Sequence, residues 1–443
     1  MRSVRVTFVL VCAMALLLAA SSALAKGPEL GRDLGRETLP PNDGWAAEGP
    51  GTTGGAEASP DHVYIVTNRN ELVAALDNAS AEPKIIYVSG IIDANVDDNN
   101  VPLTCQDYYR NGYSLEAFLA AYDPAVWGRD KPSGPMEDAR IASREAQKAR
   151  IQIPVGSNTT IVGLGNSARI RGAQLDLRGT WTNQRSNIII RNITFQDTFD
   201  CFPAWSPADG ANGSWNAEYD AIAVRYTHHV WIDHNIFEDA DTIDSTEPTY
   251  FGVHYERHDG LTDITNASDF VTVSWNQYRN HDKVMLIGSS DSGTTAQRDR
   301  GRLNVTIHHN LFLNLGQRTP RVRFGKVHVY NNYYNIDHSP AYVYSWGVGI
   351  ESEIYAENNY FKSGDITPDR FIAVYKGTMI HATGTHANGR SLNRMVDVVA
   401  AYNAAFDPDL ATEVGWTPAL HTGIDPTHRV TGLVMSGSGP FNW

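Results

Sequence analysis

The sequence has 443 residues, of which 42% are hydrophobic, and its formal net charge is −14 at pH 7. A chain of this length forms one large domain or two smaller ones. The acidic balance argues against nucleic acid or an anionic membrane surface as a partner. A polyanionic ligand would therefore need a local cluster of cationic side chains.

Residues 1–25 have the layout of a secretory signal peptide. A basic start with Arg2 and Arg5 is followed by an apolar run over residues 6–20 and by small residues up to Ala25. The apolar run is short for a membrane span, and no later segment is apolar for long enough to cross a bilayer. We expect cleavage after Ala25 and a soluble protein that is secreted to the extracellular space.

The cysteine content is consistent with export. Loss of the leader would leave Cys105 and Cys201 as the only cysteines of the chain. Two cysteines in an exported protein favour a disulfide, and two free buried thiols are the alternative.

The mature chain would begin with an irregular arm. Residues 26–60 are rich in Gly and Pro, which is typical of a segment without regular structure. We expect residues 61–443 to form a single domain. It starts with a strand from Val63 (VYIVT), then a short helix (NELVAALDNAS) with Asn70 as its N-cap, and then a second strand (KIIYVSGIID).

Residues 94–150 differ in character from the strands on either side. They are polar, and they predict one helix from Ser114 to Tyr122 and another from Met136 to Arg150. This segment is predicted to be a small helical insertion between strands.

A recurring phrase dominates the chain after Ile151. In each copy an alternating, β-branched strand leads to Asn and then to an aromatic residue, as in VWIDHNIF and VTIHHNLF. The copies centre on Asn192, Asn235, Asn276, Asn310, Asn332, Asn359 and Asn403. Successive copies are unevenly spaced, and the shortest spacing is 22 residues. A minimum spacing with excesses above it is typical of a solenoid whose turns carry loops of variable length.

The repeat predicts an all-β fold, a right-handed parallel β-helix with long loops that form a cleft. Asn can adopt the left-handed bend between strands, stacked amides can hydrogen-bond along the pile, and the aromatics would stack inside. A β-propeller would need even blades of about 40 residues. A β-sandwich would need turn signals every 8 to 12 residues. Loops of a solenoid project on one face, and the longest lie between Asn192 and Asn276.

An arginine cluster follows these loops, in GQRTPRVRFGKVHVYNNYY. It sets Arg318, Arg321 and Arg323 around Pro320, which fixes its own backbone and pushes Thr319 toward an extended conformation. In an extended segment Arg321 and Arg323 would point to the same face. Such a cluster suits an anionic ligand. Surface ion pairs are the alternative.

Carboxylates concentrate in two segments of the long loops. Asp209 and Asp220 lie in WSPADGANGSWNAEYDAIAV, and Asp259 and Asp263 lie in ERHDGLTDIT. In a stacked coil, Asp220 could converge with Asp259 and Asp263, and calcium accepts such irregular sets of loop oxygens. Solvated loop acids are the alternative.

The order of these motifs resembles that of a known family. YDAIAV, VWIDHNIF, HDGLTDITNASDFVTVSWNQYRNHDKVMLIGSSD and NVTIHHNLFLNLGQRTPRVRFGKVHVYNNYY are similar to segments of the pectate lyases in the large bacterial and plant polysaccharide lyase family. The resemblance extends from about Gly44 to Ala405. The insertion at 94–150 and the cysteine pair are not family-wide features, and they bear on the rim of the cleft.

This resemblance implies an activity and a set of site residues. The activity would be calcium-dependent β-elimination on (1→4)-α-D-galacturonan (polygalacturonate, or pectate), giving 4,5-unsaturated oligogalacturonides, by a monomer. By this resemblance, Asp220, Asp259 and Asp263 would be Ca2+ ligands, and Asp209 would join additional calcium when substrate binds. Lys283 and Arg323 would bind the substrate carboxylates. Arg318 would remove the C5 proton. Asp233 and His234 belong to the family signature and are expected to be structural.

Three alternatives have distinct signatures. A pectin lyase acts on methyl-esterified pectin without calcium, and it would favour basic or aromatic residues where this chain has Asp259 and Asp263. A polygalacturonase shares the β-helix but hydrolyses with paired carboxylates. A non-catalytic, polysaccharide-binding β-helix would have no need for three acids, Lys283 and Arg318 in this order.

Overall fold

The chain forms a right-handed parallel β-helix. The computed structural model describes residues 33–241, 243–339, 341–389 and 392–443. The predicted signal peptide lies outside the described residues. Three sheets run along the solenoid, and from Gln152 to Gly389 each turn of the chain contributes one strand to each sheet in the order sheet 3, sheet 1, sheet 2.

Sheets 1 and 2 have ten strands each. The strands of sheet 1 are Val63–Val66, Lys84–Val88, Thr159–Gly163, Arg185–Arg191, Thr227–Asp233, Asp269–Ser274, Val305–His308, Lys326–Tyr330, Glu353–Glu357 and His381–Thr383. The strands of sheet 2 are Ile91–Asp93, Arg169–Arg171, Thr194–Gln196, Ile236–Glu238, Gln277–Lys283, Leu311–Gln317, Tyr333–Asn335, Tyr360–Gly364, His386–Gly389 and Leu392–Met395. The last strand pairs antiparallel with its neighbour, and the other pairings within these two sheets are parallel.

Sheet 3 has eight strands, and two short hairpins lie outside the coil. The strands of sheet 3 are Gln152–Pro154, Gln174–Arg178, Ile222–Arg225, Thr262–Thr265, Leu286–Ile287, Arg321–Val322, Trp346–Gly349 and Ile372–Tyr375. The hairpins pair Ala204–Ser206 with Ser214–Asn216, and Thr249–Tyr250 with Val253–His254. Both hairpins belong to loops that lead from sheet 2 into sheet 3.

Helices are confined to the insertion, the connections and the ends. The α-helices are Arg69–Leu76, Leu115–Ala121, Pro124–Trp127, Pro135–Ile151, Gly293–Asp299, Val398–Ala405 and Thr427–Gly437. The 3-10 helices are Trp45–Ala47, Pro60–His62, Asp77–Ala79, Cys105–Tyr108, Asp244–Thr246 and Pro368–Phe371. None of the helices among the described residues is long and apolar enough to cross a bilayer.

The core follows from the alternation within each strand. Every second side chain of a strand points into the coil. Because the strands stack in register, equivalent side chains of successive turns contact one another. In sheet 1 the inward column contains Ile190, Ile232, Val273, Ile307 and Val329, each fully buried and paired with the next. These β-branched side chains suit a strand that is covered on one face by the core.

An asparagine ladder closes the bend between sheets 1 and 2. The amide oxygen of Asn276 accepts from the backbone N–H and the side chain of Asn235 at 2.9 and 3.0 Å. The same pattern repeats from Asn276 to Asn310, from Asn310 to Asn332 and from Asn332 to Asn359. This part of the repeat prediction is confirmed.

The bend itself differs from the prediction. The left-handed conformation belongs to the residue before each ladder asparagine, for example His234 (φ 53°) and Trp275 (φ 54°). Asn192 itself has φ 62°, and Ile193 fills the position that would continue the ladder, since its N–H donates to Asn235. The assignment of Asn192 to the ladder was therefore wrong by one residue.

The aromatic residues of the repeat stack inside the coil. Neighbouring ring centroids are 4.3 to 5.4 Å apart along the column Phe195, Phe237, Tyr278, Phe312, Tyr334 and Phe361. The prediction of a seventh strand copy of the repeat at Asn403 was wrong. Asn403 lies in the helix Val398–Ala405, and Phe406 is 46% exposed.

The helical insertion is fixed against the loops that enter sheet 3. Both predicted helices form, as Leu115–Ala121 with Ser114 as N-cap and as Pro135–Ile151. A disulfide joins Cys105 to Cys201 with 5.4 Å between their Cα atoms. The buried Arg140 guanidinium donates to Glu137 and to the carbonyl of Phe202. Near the start of the domain, the cap of Arg69–Leu76 is Asn68 rather than the predicted Asn70, because the Asn68 side chain accepts from the Glu71 N–H.

Loss of one asparagine should remove ladder hydrogen bonds to both of its neighbours. Asn310→Ala removes acceptors and donors for Asn276 and Asn332 and leaves buried polar groups unpaired. We expect a decrease of about 3 kcal/mol or more in the free energy of unfolding, measured by urea denaturation. Asn335→Ala, at a half-buried asparagine at the end of a sheet 2 strand, is the control and should cost less than about 0.5 kcal/mol. Equal decreases in the free energy of unfolding for the two variants would contradict a stabilising role of the asparagine ladder.

Candidate active site

The long loops meet over one end of sheet 3. Asp220 lies just before the strand Ile222–Arg225, while Asp259 lies before the next strand and Asp263 lies within it. Parallel strands of a coil start at the same edge of their sheet, so residues distant in sequence come together there. The register pairs Ala223 with Asp263, which sets the loop acids of adjacent turns side by side.

Asp220 and Asp263 face each other across Gly260. The Gly260 N–H donates to Asp220 Oδ1 at 3.0 Å, and the Leu286 N–H donates to Asp263 Oδ1 at 2.9 Å. A Cβ atom at Gly260 would lie 2.4 Å from Asp263 Oδ1 and 2.7 Å from Asp220 Oδ1. The glycine therefore leaves room for two buried carboxylates to converge.

The convergence is electrostatically unfavourable in the protein alone. Burial raises the pKa of Asp220 well above its ordinary value, and the charges of Asp263 and Asp259 add to this effect. The pKa of Asp263 is raised to about 7, first by burial and then by Asp259. Arg225, 3.4 Å from Asp220 Oδ2, compensates only part of the repulsion. Such a site favours a bound cation.

The predicted cationic residues lie on the segments that enter and leave sheet 3: Lys283 and Arg318 precede its strands, and Arg323 follows one. Val322 is buried in the coil, so Arg321 and Arg323 on either side of it lie on the outer face, as predicted. Arg318 has φ 61°, and its guanidinium forms no hydrogen bond or ion pair with any residue that the structure describes. The Arg321 guanidinium instead lies 3.8 Å from the ring centroid of Tyr375.

Lys283 and Arg323 already have carboxylate partners. Lys283 Nζ is 2.5 Å from Glu256 Oε1, and Arg323 Nε donates to Asp291 Oδ1 at 2.7 Å. Lys376 also binds Asp291, at 2.7 Å. Sequence reasoning missed Glu256 and Asp291, because neither belongs to a motif that marks a partner of these cations.

A buried histidine connects the acid cluster to a second network. His281 Nδ1 lies 2.7 Å from Asp239 Oδ2, and its Nε2 lies 2.8 Å from the carbonyl oxygen of Asp259. Burial opposes a charge on His281, yet Asp239 raises its pKa to about 9. The imidazolium therefore donates at both nitrogens and fixes the backbone beside Asp259. His281 was visible only as part of NHDK, and no spacing marked its role.

The same network contains the tightest set of metal-ligand atoms. Among the described residues, Asp239, Asp244 and His258 bring one ligand atom each within 4.8 Å of the others. His258 Nδ1 lies 2.7 Å from Asp244 Oδ1, and its Nε2 is 3.9 Å from Asp239 Oδ1. Asp220, Asp259 and Asp263 do not meet that spacing, although their charges act on one another.

Asp209 lies apart from the other three predicted ligands. It is exposed at the turn that connects Ala204–Ser206 to Ser214–Asn216, and no contact among the described residues joins it to Asp220. Asp233 and His234 lie at the end of a sheet 1 strand, where Asp233 bonds Arg191 and His234 at 2.7 Å each. They take no part in the acid cluster.

Open space lies beside Glu256, the partner of Lys283. A cavity of about 620 Å³ is lined by Trp215, Glu256, Asp282, Gln317 and Val343, among others. A neighbouring cavity of about 250 Å³ reaches Asp239 and His281. Together they leave a cleft beside Lys283, walled by the hairpins of the long loops, that can accept an extended polar ligand.

Comparisons with known proteins agree on one family. The family model described as pectate lyase matches residues 34–112 and 133–397. A pectate lyase of Bacillus subtilis (strain 168) is 45% identical over 417 residues, which cover 93% of this chain and 95% of that protein.

Solved structures give the same result. The thermostable pectate lyase PL 47 superimposes with a TM-score of 0.88 at 46% identity, over 93% of this chain and 100% of that one. A pectate lyase bound to a hexasaccharide superimposes with a TM-score of 0.86 at 45% identity, over 92% of this chain and 99% of that one.

A cation should stabilise the acid cluster more at high pH. Because the pKa of Asp263 is raised to about 7, its burial destabilises the fold increasingly as pH rises from about 4 to 7. Asp220 and Asp259 repel its charge, and Arg225 and Arg318 favour it. We expect the rise in Tm on adding excess Ca2+ over chelator to be larger at pH 8 than at pH 5, measured by calorimetry. Asp263→Asn should remove most of this difference. An equal rise at both pH values would contradict a carboxylate site.

Proposed function

This chain belongs to the pectate lyase family of polysaccharide lyases, and we propose that it cleaves (1→4)-α-D-galacturonan by calcium-dependent β-elimination. The products would be 4,5-unsaturated oligogalacturonides. One observation carries the proposal: buried aspartates whose charges repel one another lie near Arg318, whose guanidinium has no hydrogen-bonded partner among the residues that the structure describes.

The acid cluster fits a calcium ion. Asp220 and Asp263 offer buried oxygens that converge on Gly260, and Asp259 adds a third charge. Calcium takes several oxygen ligands and tolerates irregular geometry. We propose that these three residues hold the ion and that Asp209, from its exposed turn, contributes when substrate is bound. Bound calcium would withdraw charge from a uronate carboxylate and so acidify the neighbouring C5 hydrogen.

Arg318 is the proposed base that removes the C5 proton. Burial favours its neutral form, but Asp263 and Asp259 outweigh burial and hold its pKa above the ordinary value. Neutralising those two carboxylates would remove the opposing effect, so the same ligands that bind the cation control the basicity of the guanidine. A base of this kind works best at alkaline pH.

Lys283 and Arg323 are the proposed partners of the substrate carboxylates. Their positive charge lies where negative charge accumulates as C5 loses its proton. Each is held in place by an acid, Glu256 or Asp291, so a uronate would share the cation with that acid or displace it. This pairing preorganises the two side chains at the cost of some attraction for the substrate.

We also propose the setting in which the enzyme acts. Residues 1–25 would direct secretion, residues 26–60 form the N-terminal arm, and residues 61–443 form a single catalytic domain with the insertion at 94–150. The disulfide between Cys105 and Cys201 suits an oxidising, extracellular location. We expect the protein to act as a monomer.

Chelation tests the proposed activity directly. With polygalacturonate as substrate, the purified enzyme should produce a rise in absorbance from unsaturated ends. Excess chelator should abolish the rise, and added Ca2+ should restore it, because the three aspartates alone cannot acidify the C5 hydrogen. Undiminished product formation in chelator would exclude the calcium mechanism. New reducing ends without unsaturation would indicate hydrolysis.

The role of Arg318 is tested by a conservative substitution. Arg318→Lys keeps the charge but loses the planar guanidinium, and we expect a decrease in kcat of about 100-fold or more on polygalacturonate. The Ca2+-induced rise in Tm should be retained. Arg321→Lys, at the arginine that stacks on Tyr375, is the matched control and should lose far less. Near wild-type turnover of Arg318→Lys would remove Arg318 from the role of base.

A further inference from the structure

An exposed tryptophan lies beside sheet 3, away from the acid cluster. Trp181 is 40% exposed and follows the strand Gln174–Arg178 in the connection to sheet 1. Two guanidinium groups approach its ring, Arg298 at 4.8 Å and Arg302 at 5.3 Å from the centroid. Arg298 belongs to the helix Gly293–Asp299 and Arg302 lies just beyond it. Two connections from different turns of the coil therefore build one surface.

Arg298 and Arg302 lie outside close ion pairs, although the charge of Arg302 acts on the buried carboxyl of Asp269. Neither forms an ion pair with a carboxylate among the residues that the structure describes, and Arg298 donates only to the hydroxyl of Tyr226, at 3.3 Å. Arg300, between them in sequence, behaves differently, since it binds both carboxylate oxygens of Glu351 at 2.7 and 2.8 Å. Two neighbouring arginines without an ion pair to a described carboxylate are unexpected in a chain whose net charge is −14.

This surface continues from the candidate active site. The sheet 3 register pairs Arg178 with Arg225, so these two arginines lie next to each other on the outer face of adjacent strands. Arg225 contacts Asp220, and Tyr226 follows Arg225 and binds Arg298. A row of cationic and aromatic side chains therefore leads from the acid cluster to Trp181.

We propose that Trp181, Arg298 and Arg302 form an auxiliary binding surface for a distal segment of the galacturonan chain that occupies the cleft. This inference rests on the proposed function for the identity of the polymer. Every unit of a galacturonan has a carboxylate and an apolar ring face. Guanidinium groups bind carboxylates, and an exposed indole accepts the ring face. The surface would therefore increase affinity for long chains only.

Steady-state kinetics with two substrates test the surface. In the double variant Arg298→Gln/Arg302→Gln, and separately in Trp181→Ala, KM for polygalacturonate should rise about fivefold while kcat is unchanged. Neither constant should change for trigalacturonate, because the proposal assigns this surface to chain segments beyond those held in the cleft. Arg300→Gln removes a charge from the same segment, and because that charge is already paired with Glu351, polymer KM should stay at the wild-type value.

Three kinetic results would overturn the inference. They are an unchanged polymer KM in the variants, an equal change for trigalacturonate, or an equal effect of Arg300→Gln. Retardation in gels that contain polygalacturonate and chelator provides a readout independent of turnover. Weaker retardation of the Arg298→Gln/Arg302→Gln variant than of wild type supports the surface, even if the wild-type enzyme forms no unsaturated product and the proposed function fails. Equal retardation excludes the surface even if the enzyme is an active lyase.

Discussion

Mutual repulsion among buried aspartates is the interaction on which the rest of the site depends. Asp220 and Asp263 are held in place by backbone N–H donors, so they cannot relax away from each other. Burial first, and then the charges of neighbouring aspartates, raise the pKa of both carboxyls. A solenoid can impose this constraint because its strands are fixed by stacking on both sides. A cation is the natural complement, and it would recover the electrostatic energy that the fold has stored.

The residues that stabilise the coil and the residues of the candidate site lie in different parts of each turn. The asparagine ladder and the aromatic column hold the bend between sheets 1 and 2, whereas the acids and cations lie where loops enter sheet 3. The loops can therefore vary in length without disturbing the ladder. His281 links the two parts: it belongs to a sheet 2 strand and fixes the carbonyl of Asp259 in the loop. The geometry of the site is in this way tied to the rigid coil.

The recurring phrase was sufficient to predict the coil, because Asn and the aromatic repeat at positions that only stacking explains. It could not predict which copies join the ladder. Asn192 is shifted by one residue, and Asn403 has the same local pattern but lies in a helix, since helix and strand share short apolar runs. For the proposed site, the motif order suggested candidate residues but could not predict their partners. The pairing of Lys283 with Glu256 and of Arg323 with Asp291 depends on loops that meet only in three dimensions.

These pairings determine the order in which ligands would bind. Glu256 and Asp291 neutralise the charges of Lys283 and Arg323. The charge of Arg318 is likewise opposed by Asp263 and Asp259. Without a bound cation, the site therefore has little net positive charge to attract a polyanion. The chain as a whole is acidic and would repel a polyuronate. Attraction for the polymer would therefore develop only when a divalent cation neutralises the aspartates. In the proposed mechanism, a cation held by the aspartates would therefore make the site attractive to a polyanion. It would also offset the carboxylates of Asp263 and Asp259, whose charges raise the pKa of Arg318.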